Sequence, residues 1–146
     1  MRDGAGGEAA RPGGTPQADE SELVRVAAEV RSRAYAPYSG FSVGAAVLTD
    51  LGIFFGANVE NASYGLSICA ERVAAATAVA AGVRRIEAVA VAGSADRPTP
   101  PCGACRQFLA EFGPSMKVLS LAPDGGRKEW RLSDLMPEPF VPELLR

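Results

Sequence analysis

The sequence predicts an α/β fold, one sheet with helices packed on it. Segments with helical spacing and short apolar runs follow one another in the order helix, strand, strand, helix, strand, helix, strand, and such an order suits a sheet covered by helices. The central runs are apolar throughout, as strands are when both of their faces are buried. Turn residues such as Gly40, Gly52 and Gly82 bound these runs and separate one element from the next.

Residues 1–19 (MRDGAGGEAARPGGTPQAD) are rich in Gly, Ala and Pro and carry Asp3, Glu8 and Asp19. They lack the apolar stretch of a secretory signal, and the acidic residues speak against a transit peptide. They read as a disordered tail, with residues 20–146 as the folded domain. Ser21 can cap a helix in which Leu23, Val26, Ala27 and Val30 recur at helical spacing. Tyr35-Ala-Pro-Tyr-Ser-Gly40 breaks it. Phe41–Thr49 reads as a strand, Asp50-Leu-Gly52 as a tight hairpin turn, and Ile53–Ala57 as the returning strand. Asn58–Leu66 is polar, irregular and aromatic, which suits a loop lining a site. The alanine-rich stretch Ile68–Ala81 predicts a helix, which Gly82 stops. Ile86–Ala92 is strand-like, and Cys102–Phe112 predicts a second helix after the sheet begins, ended by Gly113-Pro114. Lys117–Ala122 and Lys128–Leu132 are shorter strand candidates. No internal repeat interrupts the pattern.

Composition narrows the function. The chain has 146 residues, 47% of them hydrophobic, so one domain with a real core can form. A net charge of −2 offers no basic footprint for nucleic acid. No apolar run reaches the roughly 18 residues of a membrane span. Three cysteines are an odd number, which fits poorly with a secreted disulfide framework and better with a reducing cytoplasm.

Those cysteines carry the chemistry. Cys69 lies in Ile-Cys-Ala-Glu-Arg, and Cys102 and Cys105 in Pro-Pro-Cys-Gly-Ala-Cys. A closed structural zinc site takes four protein ligands. The chain has no histidine, so three thiolates leave the fourth position to water or substrate, as a catalytic zinc requires. Cys102 and Cys105 are three apart on a helix and can face one ion. Both groups open helices, whose N-termini favour thiolates and offset the negative excess of three sulfurs around a divalent ion. Glu71, two places after Cys69, stands where a carboxylate can move protons. Arg72 can donate to a thiolate sulfur.

The Cys69-x-Glu71…Pro101-Cys-x-x-Cys105 pattern matches a known signature of zinc-dependent deaminases. Further blocks join it: Tyr35-Ala-Pro-Tyr-Ser-Gly-Phe-Ser-Val-Gly-Ala-Ala46, Asn58-Val-Glu-Asn-Ala-Ser-Tyr-Gly65 and Leu135-Met-Pro-Glu-Pro-Phe140. Over Leu23 to Phe140 the chain resembles the small cytidine deaminases that act on free nucleosides. The resemblance implies a three-layer α/β/α fold around a central mixed sheet of about five strands. It implies one zinc ion per subunit on Cys69, Cys102 and Cys105, with Glu71 shuttling protons. Asn58 and Glu60 would bind the ribose hydroxyls, Phe41 would pack on the pyrimidine, and the backbone around Ala70 would contact the base. Tyr64 and Phe140 would reach into the site of a neighbouring subunit of a homotetramer. The implied reaction converts cytidine and 2′-deoxycytidine to uridine and 2′-deoxyuridine with release of ammonia, as pyrimidine salvage requires.

Other readings of the same residues stay open here. The cysteines could be small buried hydrophobes, or hold a structural zinc completed by a carboxylate in a non-catalytic zinc-binding domain. Asn58 and Glu60 alternate along an extended stretch and so share one side; taken alone they read as a loop cap and a solvated charge. Phe41, Tyr64 and Phe140 are by default core or interface aromatics, though Phe140 sits among prolines and is hard to place in a monomer core. Arg106 and Gln107 read as surface or packing residues. The nearest alternative activity is deamination of another cytosine-bearing small molecule such as blasticidin S. An editing deaminase for polynucleotides would need a basic groove with stacking aromatics, which this acidic chain does not offer.

Overall fold

The structure, a computed structural model, describes residues 16–146. Residues 1–15 of the expected tail lie outside the described residues. The first helix, α1, spans Pro16–Val30 and so begins five residues before Ser21, taking in residues 16–19 of the expected tail. Proline's fixed φ suits a first helical turn, and Asp19 stands in that turn, where its charge meets the positive end of the helix dipole. Leu23, Val26, Ala27 and Val30 are buried, the stripe that their spacing predicts.

Five strands follow: β1 (Val43–Thr49), β2 (Gly52–Ala57), β3 (Ile86–Gly93), β4 (Lys117–Leu121) and β5 (Arg127–Arg131). They form one sheet in the order β2–β1–β3–β4–β5. β1 is antiparallel to both β2 and β3, β3 is parallel to β4, and β4 is antiparallel to β5. This is the mixed five-stranded sheet that was expected. The helices α2 (Ala70–Ala80), α3 (Gly103–Ala110) and the short α4 (Leu132–Leu135) complete the frame.

Alternation along the strands divides the core into two. Ala46, Ala90 and Leu119 face Leu23, Val26 and Ala27 of α1. Val47, Val89 and Val118 face the other way, packing with Ala74 and Ala78 of α2 and Leu109 of α3. The result is three layers, α1 on one face of the sheet and α2 with α3 on the other. Two glycines let the helices come close. A Cβ at Gly44 would stand 2.2 Å from the Ala27 carbonyl oxygen, and one at Gly56 2.6 Å from the Ala74 nitrogen.

Element ends differ from expectation where side chains or bridges take over the backbone. β1 starts at Val43, not Phe41, because the Asn58 amide donates to the Phe41 carbonyl and the Ser94 hydroxyl accepts from the Ser42 N–H. α2 starts after Cys69 because Ile68 pairs with Val59 in an extended bridge. Its far end closes as Gly82 predicts. Gly82 has φ +108° and donates to Val79, while Val83 donates to Ala78 and buries its side chain; this is a Schellman closure.

The topology gathers the site at one end of the sheet. Because β1 runs opposite to its neighbours, its start lies beside the ends of β2 and β3, with Val43 opposite Gly93 and Gly44 opposite Ala57. Phe41, Asn58 and the loop after β3 therefore meet.

Candidate active site

A cavity of about 240 Å³ opens at that end, lined by Phe41, Val43, Asn58 and Glu60 on one side and by Cys69, Ala70, Glu71 and Cys102 on the other. Cys69 is the N-terminal cap residue of α2 and Cys102 that of α3; neither uses its side chain to cap. Both sulfurs are thus free to turn toward each other. The sulfurs of Cys69, Cys102 and Cys105 lie within 4.8 Å of one another, with 3.7 Å between Cys69 and Cys102. Ligands about 2.3 Å from a tetrahedral zinc stand about 3.8 Å apart, so the trio fits that ion. All three cysteines are free thiols. A hydrogen bond from the Cys105 thiol draws Cys69 down to about 5, with Arg72 and Cys102 helping. The same shared proton holds Cys105 well above the ordinary thiol range.

Glu71 is the second residue of α2 and is only 5% exposed. Burial pushes its carboxyl up to about 7, and the neighbouring Cys69 sulfur adds to the effect. A carboxyl so poised can take up and release a proton near neutrality. Arg72 donates from Nη2 to the Cys69 sulfur at 3.6 Å, and that bond holds its own pKa up. Its Nε is buried and has no hydrogen-bond partner among the described residues.

Asn58 and Glu60 flank the mouth, and both are already engaged. The Asn58 carboxamide accepts from the Val43 N–H at 2.8 Å and donates to the Phe41 carbonyl at 2.9 Å. An amide has two donors and two lone pairs, so one of each remains. Glu60 accepts from the N–H groups of Tyr38 at 3.0 Å and Ser39 at 3.2 Å, and from the Ser39 hydroxyl. The Ser39 hydroxyl holds its carboxyl below the ordinary range. Ser39 also accepts from the Phe41 N–H, so one hydroxyl ties together two residues of the cavity wall.

Tyr64 and Phe140 do not line this cavity. Tyr64 is 75% exposed in the short 3-10 turn Tyr64–Leu66, against Tyr38. Phe140 is 57% exposed. Two residues escaped the sequence reading. Ser39 was passed over as part of a helix-breaking turn, although a hydroxyl beside glycine in a turn is a common donor. Gln107 reads from the sequence as a surface or packing residue, and in the structure it bonds both backbone groups of Phe140; its partner is 33 residues away, and no local signal points to it.

Residues 17–121 match the family described as the cytidine and deoxycytidylate deaminase zinc-binding region. A cytidine deaminase of Halalkalibacterium halodurans is 46% identical over 127 residues, which cover 86% of this chain and 96% of that protein. The cytidine deaminase of Mycobacterium tuberculosis is 40% identical over 126 residues, 86% of this chain and 92% of its own length. Among solved structures, the cytidine deaminase of Burkholderia pseudomallei superposes with a TM-score of 0.79 at 46% identity, covering 87% of this chain and all of that one. With this much identity along nearly the full length of such enzymes, and the same frame beneath it, the chain belongs to the cytidine deaminase family.

Proposed function

We propose that this protein hydrolyses cytidine and 2′-deoxycytidine to uridine and 2′-deoxyuridine and releases ammonia. One observation carries the reading: the buried carboxyl of Glu71 shares an apolar cavity with sulfurs spaced to grip a single ion. Cys69, Cys102 and Cys105 would hold a zinc ion, which would supply Lewis acidity and lower the pKa of water toward neutrality. Glu71 takes a proton from the attacking water and hands it to N3 of the pyrimidine. It then moves the second water proton to the amine leaving C4, so one water is consumed and one ammonia departs. Arg72, bonded to the Cys69 sulfur, steadies the charge of the trio.

Phe41 packs on the ring, and the backbone at Ala70, the start of α2, faces the base. The spare donor and acceptor of Asn58 and the carboxylate of Glu60 meet the sugar hydroxyls. That pairing favours a nucleoside over blasticidin S. The exposure of Tyr64 and Phe140 supports a role for both rings in the site of a neighbouring copy, within a homotetramer. No helix among the described residues is long and apolar enough to cross a membrane. We place the activity in cytoplasmic pyrimidine salvage.

The test is an ultraviolet assay with cytidine and with blasticidin S, run on material whose metal content is measured. Cytidine turnover with zinc bound is expected. Glu71→Gln should lose roughly a hundred- to ten-thousandfold in kcat while keeping its metal. Near-normal turnover of that variant, or activity from metal-free protein, would overturn the assignment.

A further inference from the structure

Gln107 lies in α3, two residues beyond Cys105. Its Nε2 donates to the Phe140 carbonyl at 2.8 Å, and its Oε1 accepts from the Phe140 N–H at 2.9 Å. One side chain thus satisfies both backbone groups of one residue, as a neighbouring strand would. The adjacent Arg106 donates from Nε to the Pro101 carbonyl at 2.8 Å and from Nη1 to the Leu135 carbonyl at 3.1 Å. The helix that Cys102 caps and that carries Cys105 therefore grips the segment Leu135–Phe140 at both ends. Between the grips stand Pro137 and Pro139, whose rings fix φ.

This bracket does not fold Phe140 into the chain's own core. It fixes the backbone at 140 and leaves the ring 57% exposed. A large aromatic ring held in water forfeits the burial that would stabilise it, so the clamp is better explained by a receiving surface than by this chain's own stability. Gln107 itself does not line the cavity.

We infer that Gln107 is a positioning residue for substrate binding: it aims the Phe140 ring at the site of a second copy of this chain. The inference rests on the reading of Phe140 given above, and Gln107 acts only through that ring. A ring that supports the bound substrate before and during the reaction contributes uniform binding, whose loss raises KM and leaves kcat.

The experiment compares cytidine kinetics, metal content and native mass for Gln107→Met, Gln107→Glu, Phe140→Ala and the double variant Gln107→Met with Phe140→Ala. Gln107→Met keeps length and helix propensity but makes no hydrogen bond. It should raise KM about tenfold, the scale of two ordinary hydrogen bonds, with kcat within about twofold and with metal and mass unchanged. Gln107→Glu keeps the acceptor and loses the donor, and should fall between wild type and Gln107→Met. The double variant should be no worse than Phe140→Ala, because residues acting through one contact are not additive. If Phe140→Ala raises KM and neither Gln107 variant does, the clamp is overturned and the reading of Phe140 stands. If Phe140→Ala leaves KM unchanged, the reading of Phe140 falls and the clamp with it. A joint fall of kcat and metal content in Gln107→Met would assign Gln107 to the support of α3 and overturn the inference. Should Gln107→Met fail to fold, Gln107→Glu decides by the same comparison with Phe140→Ala.

Discussion

Glu60 shows how a single residue is prepared for work. Three donors from one turn hold its carboxylate, two of them on Ser39. The Ser39 hydroxyl lowers its pKa, so the charge is present above the ordinary carboxylate range and is lost only as pH falls through the lowered value. Ser39→Ala should raise KM for cytidine roughly three- to tenfold with little change in kcat, the effect of loosening a charge-assisted contact. An unchanged KM would take Ser39 out of the site. Arg72 is the complementary case, since its guanidinium touches the Cys69 sulfur. Arg72→Gln should weaken zinc affinity about ten- to a hundredfold in competition with a chromophoric chelator, and equal affinity would refute the role. At this scale legibility follows sequence distance. Cys102 and Cys105 are three apart, so a helix turn brings them together by itself, and Cys69 and Glu71, two apart, share the start of one helix. Ser39 and Glu60 are 21 residues apart and meet only through the fold.

The elements themselves were legible because period and turn chemistry agree. The apolar stripe of α1, the glycine stop of α2 and the hairpin at Asp50-Leu-Gly52 are local consequences of residue type. What local chemistry could not give was the closeness of the layers. Gly44 reads as one small residue in an apolar run, yet a Cβ there would meet backbone atoms of α1 and of the 3-10 turn that follows it, the Ala27 oxygen at 2.2 Å and the Arg31 nitrogen at 2.6 Å. Backbone cannot step aside as a flexible side chain can. Gly44→Ala should therefore lose at least about 2 kcal/mol, from overpacking. Gly82→Ala has open space, with Leu51 Cδ1 nearest at 3.9 Å, and meets only the strain of its positive φ. Its loss should be about 1–2 kcal/mol. Urea midpoints at constant slope measure both; a neutral Gly44→Ala would mean that α1 does not lie against β1 as described.

Across the whole molecule, the three sulfurs join α2 to α3 from the ends that face the cavity. Stripping the metal with a chelator should lower Tm by several degrees, and added zinc should restore it, because a ligand held only by the folded state stabilises it. An unmoved Tm would show that the cysteines bear no such link. The order of strands and the assembly of the cavity were the least legible features, since both depend on pairings such as Val43 with Gly93 that no window of sequence contains. The sheet has one more property, at its two rims. β5, Arg-Lys-Glu-Trp-Arg, lines one rim with charge, and β2, Gly-Ile-Phe-Phe-Gly-Ala, lines the other with none. Charge along an edge discourages another strand from adding to it, and β2 carries none of that protection. In the native chain α2 lies against Gly56, and Arg33 sits over Phe55 at 5.6 Å. Where heat peels that cover away, residues 52–57 are the segment expected to pair with the strands of other chains.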